Sequence, residues 1–260
     1  MDSLNIDEVN CQVKGWLKEA RENIIHAFGN PLSVETKSSR VDLVTNMDKQ
    51  TEKFLVNKIR EFDPNAKILG EEGFGDNITN LDGTVWIVDP IDGTMNFVKQ
   101  KDHFAIMIGI YENGIGKLGF IMDVMNDVLY SGGPENGVFA NENKLDKPEN
   151  TSLKDGLLGC SSPMLMMDYN HLQTIVKHSS GARVYGSAGI EFIHILRGQE
   201  IGYISHLKPW DFAAGKILAE TLGITVKTID GSELDMLQSA NVLIATENAQ
   251  EDILKLLNSF

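Results

Sequence analysis

Cysteine and positive charge are scarce. Only Cys11 and Cys160 occur in 260 residues, with no Cys-x-x-Cys pair, which excludes a disulfide framework and predicts a reducing, cytoplasmic setting. Lysine and arginine number 23 against 37 acids, a net charge of −14. That argues against a nucleic-acid backbone or an anionic membrane as partner. A small anion held through bound cations stays open, because a metal reverses the local sign. No apolar run approaches the length of a membrane span. Met1-Asp2-Ser3-Leu4-Asn5-Ile6-Asp7 lacks a basic region leading into an apolar core, so no signal peptide is predicted. There is no Walker-A loop, and Gly70, Gly73 and Gly75 do not form a dinucleotide fingerprint. The six histidines show no metal-ligand spacing. Tyr185-Gly186-Ser187-Ala188-Gly189 misses the nucleophile elbow, because Tyr185 takes the place of its first glycine.

What is present is an ordered alternation of patterns. Apolar residues from Val9 to Phe28 recur at helical spacing, predicting a helix over 4–28 that Gly29-Asn30-Pro31 stops. A polar stretch over 33–40 carries Lys37, and 41–45 reads as extended. A second helix is predicted over 48–62, with Phe54, Leu55, Ile59 and Phe62 on one face. Strands follow at 67–70, 85–88, 104–111, 117–124, 128–132 and 137–140, with hairpin turns at Asn113-Gly114 and Asn126-Asp127. Residues 141–154 are polar and read as a boundary between an N-terminal α+β domain, 1–150, and a C-terminal α/β domain, 151–260. In the second half, strands at 157–160, 183–185, 202–205, 225–229 and 241–245 alternate with helices at 168–178, 188–197, 211–222 and 247–257.

The chemistry concentrates in Trp86-Ile87-Val88-Asp89-Pro90-Ile91-Asp92-Gly93-Thr94. A buried strand ends in two carboxylates. Pro90 has no amide hydrogen to continue a central strand, so a turn is expected there. Gly93 lets backbone approach a ligand, and a helix starting near Thr94 would offer free N–H groups to an anion. Alone, the stretch allows a plain Asp-Gly turn, an aspartyl phosphatase or a metal site. The aspartyl route needs an aspartate at position 90, which is proline. Glu71, in Glu71-Glu72-Gly73, and Asp211, opening a helix after Pro209-Trp210, are further acids at element ends. With Asp89 and Asp92 they make an oxygen-rich set suited to Mg2+.

With Glu71-Glu72-Gly73, Asp89-Pro90-Ile91-Asp92-Gly93-Thr94 and Trp210-Asp211-Phe212-Ala213-Ala214-Gly215 in order, the chain resembles the inositol monophosphatase family of Mg2+-dependent, lithium-sensitive phosphatases. The resemblance implies a layered α-β-α-β-α sandwich, a homodimer, and two or three Mg2+ per site. It implies that Glu71, Asp89 and the carbonyl of Ile91 hold one Mg2+, that Asp89, Asp92 and Asp211 hold a second, and that Glu71 faces a weaker third. Gly93 and Thr94 would present N–H groups to phosphate. Thr94, paired with Asp48 and close to Glu71, would orient the attacking water. Lys37 matches a loop lysine near the metals, and Ala188 a contact to the substrate's sugar. The implied reaction is direct in-line attack of metal-activated water on a small phosphate ester. In this reading the first domain carries the metal and phosphate site, and the second adds Asp211 and the substrate contacts.

Animal members selective for inositol carry an acid upstream of the Trp-Asp pair. Ile204-Ser205-His206-Leu207-Lys208-Pro209 has none. Lys208 reads either as a surface lysine or as a charge for a second phosphate, as in fructose 1,6-bisphosphate, NADP or adenosine bisphosphate. A non-catalytic sensor of sugar phosphates or nucleotides is the alternative class; loss of a metal acid would mark it, and all four acids are present.

Overall fold

The computed structural model describes residues 5–29, 33–37 and 43–260. Parts of the predicted 33–40 and 41–45 segments, and Asn30-Pro31 of the first helix stop, lie outside the described residues. Helix α1 (Ile6–Ala27) buries Val9, Val13, Trp16, Leu17, Ala20 and Ile24, the stripe its periodicity predicts. Asn5 caps it by accepting the Glu8 amide. A short ribbon pairs β1 (Val34–Thr36) with β2 (Leu43–Thr45). Helix α2 (Asn46–Phe62) begins with a capping box between Thr45 and Asp48.

Seven strands follow in one sheet: β3 (Lys67–Gly70), β4 (Thr84–Asp92), β5 (Ala105–Glu112), β6 (Ile115–Asp123), β7 (Val128–Gly133), β8 (Gly137–Ala140) and β9 (Asn143–Lys144). They pair in chain order, parallel only between β3 and β4. Alternate residues of β4 serve opposite faces. Trp86 and Val88 pack in the core that also holds Trp16, Leu55 and Ile59 from α1 and α2; Val85 and Ile87 enter the core on the other side.

That second core receives α6 (Ala188–Leu196) and α7 (Pro209–Thr221). A five-stranded sheet covers them, in order β11-β10-β12-β14-β13, from β10 (Leu157–Cys160), β11 (Gly181–Arg183), β12 (Gly202–Leu207), β13 (Thr225–Thr228) and β14 (Ala240–Ala245). Its outer face packs α5 (Leu172–Lys177), α8 (Glu247–Leu257) and Met164 of α4 (Ser162–Met166). The layers are therefore α-β-α-β-α, as the resemblance implies. No helix among the described residues is long and apolar enough to cross a membrane.

Three local expectations change. Pro90 does not end β4: Asp89 pairs with Met107 and Asp92 with Ala105, so Pro90 and Ile91 form a bulge opposite Ile106, and the chain turns at Gly93 instead. The helix expected over 168–178 is split, because Asp168, Asn170 and His171 adopt left-handed backbone with φ of 52°, 54° and 55°. The strand expected at 183–185 lies two residues earlier, at β11.

Candidate active site

The bulge in β4 delivers Asp89 and Asp92 into the layer between the sheets. There α7 brings its first turn, and with it Asp211. Small residues set that approach: a Cβ at Gly109 of β5 would lie 3.0 Å from Ala213, so the helix lies directly on the strand. Single oxygens of Asp89, Asp92 and Asp211 lie within 4.8 Å of one another.

Each carboxylate is fixed by backbone. Asp92 accepts the amides of Ala188 (3.1 Å) and Gly189 (2.7 Å) at the start of α6 and the hydroxyl of Ser187. Asp211 accepts the Lys208 amide at 2.7 Å, and Asp89 the Ile91 amide at 3.1 Å. Gly93 has φ of 86°, and a Cβ there would sit 2.8 Å from Cβ of Ser187; both the turn and the close packing require glycine. Thr94 opens α3 (Thr94–Lys99). Its hydroxyl has two acceptors in reach, Asp48 Oδ1 at 3.0 Å and the Ile91 carbonyl at 3.1 Å. Asp48 uses its other oxygen to accept the Thr45 amide and hydroxyl, at 2.8 and 2.5 Å. The acid that completes the capping box of α2 is thus also the partner of the site threonine.

Glu71 lies outside the 4.8 Å group. Lys37 sits 3.0 Å from its Oε1 and 2.5 Å from Oε1 of Glu72. The Lys208 ammonium stands 3.8 Å from the same Glu71 oxygen and 5.4 Å above the Trp210 ring. Of the predicted residues, the structure therefore gathers Asp89, Asp92, Ile91, Gly93, Thr94, Asp48, Ala188 and Asp211, with Lys37 and Lys208 both on Glu71. Two neighbours escaped sequence reasoning. Ser187, whose sequence context misses the nucleophile elbow, donates to Asp92. Glu52, fully buried on α2, supports the Glu71 loop; its spacing of four from Asp48 on one helix face was the available signal.

The electrostatics explain what this arrangement calls for. Burial first, then repulsion from Asp92, lifts the Asp211 carboxyl to about 8. Burial lifts Asp92 to about 6 against the pull of Ser187, Gly189 and Ala188. Asp89 is raised well above the ordinary range by burial and by Glu71, Asp92 and Asp211. Asp89 and Asp92, buried, and Asp211, half-buried, oppose one another's ionisation; with no histidine or cysteine among them, they form an oxygen donor set of the type Mg2+ takes.

The sequence pattern of the inositol monophosphatase family matches residues 5–259. The inositol-1-monophosphatase of Bacillus subtilis is 42% identical over 254 residues, 96% of this chain and 96% of that protein. A fructose-1,6-bisphosphatase/inositol-1-monophosphatase of Thermotoga maritima is 29% identical over 255 residues, 97% of this chain and 96% of that one. The solved structure of an IMPase/NADP phosphatase complexed with Mg2+ and phosphate superposes with a TM-score of 0.92 at 30% identity, covering 99% of this chain and 97% of that chain. A staphylococcal IMPase-I complexed with products gives 0.91 at 29% identity, covering 98% and 97%. The chain belongs to the inositol monophosphatase family.

Proposed function

We propose that this Mg2+-dependent phosphatase hydrolyses the monophosphate of a small neutral polyol, of the inositol 1-phosphate kind. The observation that carries the substrate reading is the cleft beside the acids. It has a volume of about 270 Å3, and beyond Asp92 and Asp211 it is lined by the hydroxyl-bearing residues Ser161, Ser162, Ser205 and Tyr203 and by apolar residues. Among the described residues no cationic side chain lines it. Neutral hydroxyls suit a polyhydroxylated ring; they offer no countercharge to a second phosphate. Lys208, the sequence candidate for that countercharge, is drawn to Glu71 instead.

In this reading Glu71, Asp89 and the Ile91 carbonyl would hold one Mg2+; Asp89, Asp92 and Asp211 would hold a second; Glu71 would face a third. When bound, Mg2+ neutralises phosphate oxygens and makes water a stronger acid. The chain's own residues do the positioning. The Thr94 hydroxyl donates a hydrogen bond to Asp48 or to the Ile91 carbonyl, which leaves a lone pair to orient the attacking water, whose second hydrogen bond would go to Glu71. The amides of Gly93 and Thr94 face the phosphate, while Asp92, Asp211 and Ala188 meet the leaving polyol. The water oxygen forms its bond to phosphorus in line as the ester P–O bond breaks, and the proton the water gives up ends on the leaving alkoxide. Residues 1–150 contribute the phosphate side and 151–260 the polyol side and Asp211.

The test is kcat/KM for inositol 1-phosphate, fructose 1,6-bisphosphate and NADP, on wild type and Lys208→Ala. The monophosphate is expected to rank first, and Lys208→Ala to move all three by a similar factor. A loss confined to the two larger substrates would return Lys208 to the role of second-phosphate site.

A cytoplasmic homodimer completes the proposal. Family membership supports it, as do the two unbridged cysteines and the exposed cluster Met166, Met167 and Tyr169. Light scattering that returns a monomer mass would reject the dimer.

A further inference from the structure

The reaction leaves one buried carboxylate beside the site without a role. Glu52 stands one turn beyond Asp48 on α2 and is fully buried. Both of its oxygens are taken by backbone: Oε2 accepts the Glu72 amide at 2.6 Å and Oε1 the Phe74 amide at 2.8 Å. Those amides belong to the turn Glu71-Glu72-Gly73-Phe74, in which Gly73 has φ of 83°. Gly70, the last residue of β3, rests on the same carboxylate; a Cβ there would lie 2.5 Å from Oε1. Burying a carboxylate is costly unless its lone pairs are satisfied. Only a carboxylate offers an acceptor at both of its terminal atoms; an amide side chain would meet one of the two N–H groups with a donor.

We propose that Glu52 is the positioning residue for Glu71. By clamping the amides that follow Glu71, it fixes the loop so that the Glu71 carboxylate faces the site, and it thereby sets the affinity for the Mg2+ that Glu71 holds. This rests on the reading of Glu71 as a metal ligand. Two carboxylates four residues apart on one rigid helix then organise both flanks of the attacking water. Asp48 fixes Thr94, and Glu52 fixes Glu71.

Glu52→Gln keeps the size and removes one acceptor. Its Kd for Mg2+, measured by calorimetry and by the Mg2+-dependent shift in melting temperature, is expected to rise about 10- to 100-fold, with kcat at saturating Mg2+ changed far less. Gly70→Ala displaces the same carboxylate without altering charge and is expected to weaken Mg2+ binding in the same direction, which keeps the test open if Glu52→Gln fails to fold. On a Glu71→Gln background, Glu52→Gln should add nothing to the loss of affinity. If Glu71→Gln alone leaves Mg2+ binding intact, the assignment of Glu71 as ligand fails. If Glu71→Gln weakens binding while Glu52→Gln and Gly70→Ala leave the Kd unchanged, or if the losses at 52 and 71 add, the positioning role of Glu52 is overturned, whatever the melting temperatures.

Discussion

Asp211→Asn and Asp92→Asn should each cut phosphate release on the order of 10³-fold, about 4 kcal/mol of barrier, while moving stability in opposite directions. Both remove a charge that Mg2+ needs. Their structural surroundings differ. Asp211 accepts one hydrogen bond, from the Lys208 amide, and an asparagine oxygen accepts it equally well. The variant also removes a carboxyl that burial and repulsion from Asp92 lift to about 8, so folded wild type must hold it protonated near neutral pH at a cost the asparagine does not carry. In Mg2+-free buffer Asp211→Asn is therefore expected to melt above wild type. Asp92 instead receives Ser187, Ala188 and Gly189 on its two oxygens. An asparagine turns one of those oxygens into a donor facing donors, which costs about 1–3 kcal/mol and offsets the relief of charge. Asp92→Asn is expected to melt at or below wild type. Circular dichroism melts with phosphate-release assays check both halves. Near-normal turnover in both variants would sink the metal assignment, and a lower melting temperature for Asp211→Asn would contradict the repulsion.

The second large effect lies away from the reaction. Glu191 and Glu200 are buried side by side. Burial first, and the neighbouring Glu200 next, lift the Glu191 carboxyl from 4.5 to about 9. Burial lifts Glu200 to about 7 against the pull of Glu191 and Arg183. At neutral pH the pair retains a proton, with Glu191 Oε2 and both Glu200 oxygens buried and without a hydrogen-bond partner elsewhere, while Glu191 Oε1 accepts the Tyr185 amide at 3.0 Å. Both folded values lie above the unfolded one, so the folded protein keeps protons the unfolded chain has released. Stability from this pair is fully present below about pH 4.5 and declines as pH rises through about 7 and 9. Cys160, lifted to about 11 by burial, stays protonated across that window. Between pH 7 and 9 the loss is on the order of 2 kcal/mol. Glu191→Gln keeps the acceptor for Tyr185 and gives Glu200 a permanent donor, so its stability should be flatter with pH and above wild type at pH 9. Denaturant melts across that range, with Mg2+ and phosphate present to hold the site acids ionised, decide it. Parallel pH curves for variant and wild type would contradict the shared proton.

The readable parts of the fold were those with a repeating apolar signal or a chain punctuator. The α1 stripe and the span of α8 emerge as predicted, because their buried positions recur at 3.6 residues between clear caps. Strand β1 was missed because Val34, Glu35 and Thr36 are all exposed, so burial leaves no mark on their sequence. The 168–178 helix was overextended because left-handed backbone at Asp168, Asn170 and His171 leaves no apolar trace. Pro90 misled in a more instructive way: it lacks a ladder donor, but a bulge accommodates that lack without ending the strand. In the site, Asp89, Asp92 and Asp211 were legible as acids at element ends. Ser187 and Glu52 were not, because what defines them is a partner far along the chain or a backbone amide, and neither is written in residue type.

The most direct test of the whole account is the rate of phosphate release from inositol 1-phosphate as Mg2+ is titrated from chelated buffer to saturation. Release should be at background without Mg2+ and rise saturably with it. Full activity in chelator, or none at any Mg2+ concentration, would contradict the account.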